Sequence, residues 1–524
     1  MSVAYQKGGS GARQAGGMAT QHSLSAAMTK RQHALVILAL GLGTLMEWYD
    51  FQVGASSTLQ ALHLWKRVPK KPAHCRLERP LAGHVGDLIG RRVSLLVSIL
   101  CMAVPTVLIG CIPSYETIGV AAPVLLGVLR VIQGLAIGGE YGTAVVYAAE
   151  LAPPGWEGRH STFIVAFCQA GLLAGELAVL LVVAACTPAQ LAVWGWRIPF
   201  LIVIFSGSLA LILRLNMPEP LLLIAKARLE AEAAAAPGGA AEAGWKALND
   251  EEKAAAAQAE LDKMRHRVPL LALIKHHALA LALFVLVACY AQASVYTITT
   301  WLAKHLRDEG VPNLTTQVMS ITALTAKLGG VLLCGWLADK GMGVCIAGAA
   351  NALIGVGLNF GLGKVVADYV KGSGALVGAW LMQVLLLGWT GFALALLPTV
   401  GVNIFSPDVR ASGYNIGYSI TSGIVGGLSP LAVTSIMANH GAGIYGAAFW
   451  TLAAGCVSAF AYLVTLWRFP ACSHPHLRPL CQTELCVVSV SKRGAVDGPA
   501  TLALTAGDGK QGQLKAVREA SRDD

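Results

Sequence analysis

Eleven long apolar runs are the feature that most constrains what this chain can fold into. A membrane-spanning helix needs about 20 mostly apolar residues, and each run has about that length or more. The runs occupy residues 34–54, 93–112, 117–146, 161–185, 198–215, 270–301, 316–337, 344–362, 373–400, 411–438 and 444–467. The sequence therefore predicts an all-α polytopic membrane protein in contact with the lipid bilayer.

The composition supports this prediction and argues against a soluble enzyme. Only 13% of the 524 residues are charged, whereas soluble domains carry about 25%. The formal net charge of +10 does not indicate a nucleic-acid partner, because the basic residues are confined to a few short stretches. The 12 cysteines form no CxxC pairs and lie mostly in apolar runs, so neither a disulfide framework nor a metal site is predicted.

A charged segment, residues 218–268, separates five apolar runs from the six that follow it. It holds 9 acidic and 7 basic residues and no apolar pattern able to form a core, so it is interpreted as a linker with helical flanks. The predicted organisation is a disordered N-terminus (1–33), an N-terminal transmembrane bundle (34–217), the linker (218–268), a C-terminal transmembrane bundle (269–468) and a disordered tail (469–524).

Lysine and arginine in short loops set the predicted orientation, since cytoplasmic loops carry an excess of them. With Lys30-Arg31 in the cytoplasm, the linker and the segment after Arg468 also lie there, so both termini are predicted to be cytoplasmic. Whether the membrane is the plasma membrane or that of an organelle stays open.

That orientation requires one more crossing before residue 91 than the apolar runs provide. Residues 59–78 read LQALHLWKRVPKKPAHCRLE, and a charge at the bilayer centre costs about 3 kcal/mol. We therefore infer that a second helix is missing or degraded, through either an incorrect gene model or a defective copy. With that helix included, the predicted architecture has six spans before the linker and six after it.

A short motif occurs once in each half of the chain. Gly83 and Asp87 have the same Gly-xxx-Asp spacing as Gly335 and Asp339, but only the first copy is followed by an arginine pair. A repeat of this kind indicates two related halves.

Several motifs follow one another through the first half. They are Gly43-Thr-Leu-Met-Glu47-Trp48-Tyr49-Asp50-Phe51, Gly83-His-Val-Gly-Asp87-Leu-Ile-Gly90-Arg91-Arg92, Arg130-Val-Ile-Gln133-Gly134, Gly138-Gly139-Glu140-Tyr141-Gly142, Glu150-Leu-Ala-Pro153-Pro154-Gly155 and Trp194-Gly195-Trp196-Arg197-Ile198-Pro199-Phe200. Together they resemble the major facilitator superfamily, and within it the metabolite:proton symporters, which include proline/betaine, shikimate and 2-oxoglutarate transporters. The second half is similar mainly through Ala411-Ser-Gly-Tyr414-Asn415-Ile-Gly417.

The resemblance implies a fold of two six-helix bundles and a secondary active transporter that is not an enzyme. It further implies symport of a small organic solute by alternating access, with a proton as the coupling ion, no cofactor and no catalytic or metal-binding residue. We expect a monomer. An uncoupled facilitator, a membrane sensor or a defective, non-transporting copy are the alternatives.

Charged residues inside apolar spans are candidates for function because burying them is costly. Glu47 and Asp50 are three residues apart on one helical face, where two carboxylates in a cavity could exchange a proton. The candidates for proton coupling are Asp50, Glu47, Glu140 and Arg130. The alternatives are that Asp50 caps a broken helix, that Glu47 makes a structural bond, and that Arg130 binds backbone carbonyls.

The predicted substrate contacts combine cationic, polar and aromatic side chains. They are Arg130, Gln133, Trp48, Tyr49, Lys327, Tyr414 and Asn415. Arg130 and Lys327 suit a carboxylate, whereas Trp48 and Tyr49 suit a quaternary ammonium through cation–π attraction, so a proline- or betaine-like zwitterion or a carboxylate is predicted. Trp48 and Tyr49 as interfacial anchors, and Lys327 snorkelling to the interface, are the alternatives.

Charged residues at the loop ends are assigned to gating, because charge pairs between halves can break as the halves move. The predicted gating residues are Gly83, Asp87, Gly90, Arg91, Arg92, Glu150, Arg159 and Asp339.

Overall fold

Long α-helices make up most of the described part of the chain, which contains no strand. The computed structural model describes residues 30–55, 91–152, 156–215, 247–265, 269–340, 342–372, 376–405, 409–439 and 445–469, with isolated positions between 229 and 245. These residues belong to a unit that spans Met1–Cys481, and the second unit, Gln482–Asp524, lies outside the described residues.

Twelve apolar helices carry the predicted spans. They are α1 (Lys30–Ala55), α2 (Arg91–Cys111), α3 (Ala121–Glu150), α4 (Glu157–Ala185), α5 (Val203–Leu215), α6 (Ala278–Tyr296), α7 (Asn313–Asp339), α8 (Val344–Val370), α9 (Leu376–Ile404), α10 (Arg410–Ile420), α11 (Gly427–Asn439) and α12 (Gly446–Arg468). Shorter helical segments are Tyr115–Ile118, Pro188–Val193, Gly195–Arg197, Ile198–Leu201, Pro269–His276 and Ala303–Asp308, and Asp250–Arg265 is a helix of the linker.

Each of the eleven apolar runs falls on one or more of these helices. Among the described residues, nine helical stretches are long and apolar enough to cross a membrane, and two shorter apolar ones, Leu95–Cys111 and Ala121–Gln133, complete the set. Large apolar side chains such as Phe205, Phe460 and Trp467 are exposed on the outside, as expected where lipid replaces water. The prediction of a polytopic helical membrane protein is therefore confirmed.

The largest boundary error of the sequence analysis concerns the run at 270–301. The structure separates Pro269–His276 from α6, and α6 continues through a π-helical segment, Thr297–Leu302, into Ala303–Asp308. A second π-helical segment, Thr421–Gly426, joins α10 to α11. Hydrophobic periodicity cannot locate a π turn, since it depends on a local change in backbone hydrogen bonding.

Close packing of α1 against α4 depends on glycine. A Cβ at Gly171 would collide with the Leu45 carbonyl oxygen, and one at Gly175 would lie 2.9 Å from the Tyr49 carbonyl oxygen. Small residues allow membrane helices to approach this closely. Since higher numbers on α1 meet higher numbers on α4, the two helices run parallel.

Several predicted features lie outside the described residues. They are the stretch 59–78, Gly83, Asp87, Gly90 and most of the terminal segments and linker. Arg91 and Arg92 begin α2 and Glu140 lies in α3, but the side chains of these three residues also lie outside the described part.

Candidate functional site

A buried network joins α1, α2 and α3 around the carboxylate of Asp50, which is 1% exposed. Arg130 Nη1 lies 3.2 Å from Asp50 Oδ2, and Gln133 Nε2 donates to the same oxygen at 3.0 Å. Gln133 Oε1 in turn accepts from Arg130 Nη1 at 2.9 Å. Because α1 continues five residues beyond Asp50, the alternative in which Asp50 caps a broken helix is not supported.

Thr106 on α2 completes the network, and the sequence analysis missed it. Gln133 Nε2 donates to Thr106 Oγ1 at 2.7 Å, while the Thr106 hydroxyl donates to the Met102 carbonyl oxygen at 2.7 Å. The threonine thus holds the amide that contacts both Asp50 and Arg130. Asp50 Oδ1 is buried and has no hydrogen-bond partner in the described part of the chain.

A glycine makes room for the guanidinium of this network. A Cβ on Gly54 would collide with Arg130 Nη2. The Arg130 guanidinium carbon also lies 5.9 Å from the centroid of the Phe200 ring, within cation–π distance. The described contacts that position Arg130 are therefore with side chains and a ring.

Lys327 is buried in α7 at 2% exposure and has neither an ion pair nor a hydrogen bond in the described part of the chain. Cys168 on α4 lies within electrostatic reach of both Lys327 and Glu47, and Glu47 is also buried. Breaking or omitting the partner of a buried charge is strongly unfavourable. A buried lysine that has no partner among the described residues is suited to an anionic ligand.

Aromatic rings of both halves meet in what we call the aromatic layer, formed by Trp48, Tyr141, Tyr414 and Tyr418. The Tyr141 centroid lies 6.1 Å from that of Trp48 and 4.9 Å from that of Tyr418, and the Tyr414 and Tyr418 rings stack at 6.2 Å. All four are buried. Tyr49, by contrast, points elsewhere: its hydroxyl donates to the Pro199 carbonyl oxygen at 2.8 Å.

The aromatic layer is continued by a polar contact between the halves. Asn415 Nδ2 on α10 donates to Thr143 Oγ1 on α3 at 3.2 Å. Gly142 permits this approach, because a Cβ there would collide with the Asn415 side chain. Of the predicted substrate residues, Tyr414 and Asn415 therefore lie on the seam between α3 and α10.

Two ion pairs join the halves at what we call the latch end, where α3 and α7 end and α4 and α10 begin. Arg159 Nε lies 2.8 Å from Asp339 Oδ2, and Arg410 Nη1 lies 3.5 Å from Glu150 Oε1. The Arg159 backbone N–H also donates to Asp339 Oδ1 at 3.2 Å. The structure thus brings three predicted gating residues, Glu150, Arg159 and Asp339, into one region and adds Arg410.

The charged groups are stacked along the bundle. At about 1.5 Å of rise per residue, Arg130 lies roughly 30 Å along α3 from Glu150, and Tyr141 lies about midway. The order from the latch end is therefore ion pairs, aromatic layer, and then the Asp50 network.

Among the described residues, no three His, Cys, Asp or Glu side chains converge in a way that could hold a metal ion.

A polytopic helical fold, charges buried within its spans and ion pairs between its halves are together typical of a membrane transporter. Comparison with known families supports this class. The sugar (and other) transporter family matches residues 80–480, and the chain belongs to that family within the major facilitator superfamily. The predicted superfamily is thus confirmed, and because its members are solute transporters, the chain is not an enzyme.

Known relatives include transporters of different small solutes. The chain is 26% identical over 448 residues to a candidate proline/betaine transporter of Staphylococcus haemolyticus, covering 82% of this chain and 86% of that protein. It is 27% identical over 461 residues to the alpha-ketoglutarate permease of Escherichia coli, covering 84% of this chain and 94% of the permease.

The fold is similar to that of the proton:xylose symporter XylE of Escherichia coli. The TM-score is 0.62 at 18% sequence identity, and the similarity covers 84% of this chain and 96% of the symporter chain. At this identity the similarity establishes the fold alone. The prediction of a major-facilitator fold is confirmed.

Proposed function

We propose that the protein is a proton-coupled symporter of a small zwitterion or carboxylate that works by alternating access. The observation that carries the proposal is the ion pair between the buried Asp50 and the partly exposed Arg130, with Gln133 bound to both residues. A carboxylate and a guanidinium neutralise each other inside a span. If the carboxylate binds a proton, the guanidinium can bind the carboxylate of a solute instead.

The coupling step uses Asp50 Oδ1, which has no hydrogen bond with another described residue. A proton that binds Oδ1 makes Asp50 neutral and removes its attraction for Arg130, whose guanidinium remains bound to Gln133 Oε1. Arg130 then binds the solute carboxylate in its place. The proton and the solute thereby favour each other's binding, as symport requires. A proton that moves down 100 mV supplies about 2.3 kcal/mol, enough for roughly 50-fold accumulation.

The solute class follows from the buried charges between the halves. Lys327 is buried and has no ion pair or hydrogen bond with another described residue, so it suits a carboxylate. The aromatic layer and Glu47 suit a cationic group. The candidate proline/betaine transporter and the alpha-ketoglutarate permease among the relatives are consistent with solutes that carry a carboxylate. We place the latch end in the cytoplasm, on the positive-inside argument, so the latch closes the inner side.

The coupling test compares Asp50→Asn with the parent protein in proteoliposomes, with radiolabelled proline as the probe. The variant is expected to lose proton-driven accumulation but to retain exchange of proline across the membrane, because the amide cannot carry a proton. Glu116→Gln, an exposed carboxylate on Tyr115–Ile118, is the matched control. Undiminished accumulation by Asp50→Asn contradicts the coupling role, and a parent that only equilibrates proline indicates an uncoupled facilitator.

The solute site is tested with Lys327→Gln. A charge-assisted hydrogen bond contributes about 1.5–3 kcal/mol, so the apparent KM for a carboxylate solute is expected to rise about 10- to 150-fold. Lys371→Gln, which removes an exposed lysine at the end of α8, is the control. An unchanged KM contradicts the assignment.

A further inference from the structure

Glu176 is a second carboxylate buried within a span, and the coupling step described above does not use it. It lies on α4, 7% exposed, and its Oε2 accepts a hydrogen bond from Gln52 Nε2 of α1 at 2.6 Å. Gly175 brings the two helices together here, because a Cβ on it would lie 2.9 Å from the Gln52 Cβ. The contact is therefore part of a close helix–helix interface.

The charged groups around Glu176 do not neutralise it by direct contact. Arg307, on Ala303–Asp308 of the C-terminal half, is within electrostatic reach but forms no ion pair with it in the described chain. The helices packed against α4 carry other titratable groups. They are Lys30, Arg31, His33, Glu47, Tyr49 and Asp50 on α1, Arg130, Glu140, Tyr141, Tyr147 and Glu150 on α3, Lys327, Cys334 and Asp339 on α7, and Arg197 on Gly195–Arg197. The helix α9 carries no charged residue.

Among the described residues, none of these groups forms an ion pair or a hydrogen bond with Glu176. Arg130 pairs with Asp50, and Arg197 donates to the carbonyl oxygens of Gly110 and Ile112. An ionised carboxylate held in a span by one neutral amide is unfavourable, and a proton removes that charge without disturbing the Gln52 bond. Asp50 differs, because it has a guanidinium beside it.

We propose that Glu176 is a second proton-binding site, on the side of the Asp50 network away from the latch end. The inference rests on the proposed proton coupling and extends it. Gln52 lies two residues beyond Asp50 on α1, or about 3 Å farther from the latch end. A proton that enters from that side therefore meets Glu176 before Asp50.

Arg307 gives the site a means of releasing its proton. It belongs to the C-terminal half, so its distance from Glu176 changes when the halves move relative to each other. When Arg307 approaches, it favours the ionised form of Glu176, and the Glu176 proton returns to water. When Arg307 withdraws, the protonated form is favoured, and Glu176 takes a proton from water. No bond other than that to the proton forms or breaks.

The test is infrared difference spectroscopy of the purified full chain as the pH is changed, which detects protonated carboxyl groups and requires no known solute. Asp50→Asn and Glu176→Gln are each expected to abolish one distinct carboxyl signal of the parent, and Glu116→Gln is expected to abolish neither. If the Glu176→Gln spectrum keeps every carboxyl signal of the parent, the inference is overturned, while loss of a signal in Asp50→Asn still supports the proposed coupling. A signal that is lost in Glu176→Gln but not in Asp50→Asn supports the second proton-binding site and contradicts the coupling role of Asp50.

A measurement on the parent protein covers the case in which Glu176→Gln does not fold. Dicyclohexylcarbodiimide modifies protonated carboxyl groups in apolar surroundings, and mass spectrometry identifies the modified peptide. We expect modification at Glu176 that decreases as the pH is raised. Absence of modification at Glu176 at acid pH, with modification at other carboxyl groups, overturns the inference.

Discussion

Adding one methyl group at Gly158 is expected to open the latch end. A Cβ there would lie 2.7 Å from Asp339 Oδ1, whereas ordinary contacts begin near 3.4 Å. The carboxylate must therefore shift by several tenths of an ångström. The Arg159 N–H···Oδ1 hydrogen bond is already 3.2 Å long, and the shift removes it.

The expected effect of Gly158→Ala on latch opening can be calculated from the hydrogen bond between Arg159 and Asp339 that it removes. A hydrogen bond to a charged group contributes about 1.5–3 kcal/mol, and partial exposure of Arg159 lowers this to about 1–2 kcal/mol through solvent screening. Since about 1.4 kcal/mol is a factor of ten, Gly158→Ala is expected to favour the open latch about 5- to 30-fold. Any gain in helix propensity applies to both states and cancels.

Amide hydrogen exchange of the purified protein measures this opening directly. Exchange at residues 156–165 is expected to accelerate by about the same 5- to 30-fold, with no acceleration at residues 303–312 on the opposite end. Gly329→Ala is the matched control, because a Cβ at that position of α7 meets nothing within 4 Å. Unchanged exchange at the latch end refutes the reasoning, and equal acceleration at both ends indicates general destabilisation.

Three further substitutions test separate contacts. Gly54→Ala should displace the Arg130 guanidinium, since its Cβ would collide with Nη2, and reduce proton-driven uptake in proteoliposomes; normal uptake would contradict this. Tyr49→Phe removes the bond to the Pro199 carbonyl oxygen and should cost about 1 kcal/mol of stability in thermal unfolding with no change in solute KM; a changed KM would instead support the solute-binding role predicted for Tyr49 from sequence. Arg410→Gln should accelerate hydrogen exchange at residues 145–152, because it removes an ion pair of the latch end, and unaltered exchange would exclude that pair from the latch.

Hydropathy alone predicted the helices, because a bilayer demands apolar length. The residue type and its setting inside an apolar run also predicted Asp50, Arg130 and Gln133, which the structure places in one network. Their roles remain predictions. A charged residue inside an apolar run needs a partner, so the sequence alone marks such a residue as a candidate for function without identifying the partner.

The contacts that depend on tertiary packing were not predictable in the same way. Thr106 is one of many threonines in apolar runs, and only its distance from Gln133 distinguishes it. Arg410 begins a helix as Arg91 does, and its approach to Glu150 is a contact between halves. Glu176 was visible as an unusual charge, but its bond to Gln52 depends on how closely α1 and α4 approach.

The π-helical segments mark places where helices of the C-terminal half can bend. Thr297–Leu302 and Thr421–Gly426 both belong to the C-terminal half, while the described helices of the N-terminal half contain no such segment. The Tyr296 and Ser422 hydroxyls meet at 3.3 Å beside them. Local departures from α-helical bonding are where helices bend. The C-terminal half thus has two adjoining positions at which α6 and the α10–α11 pair can bend.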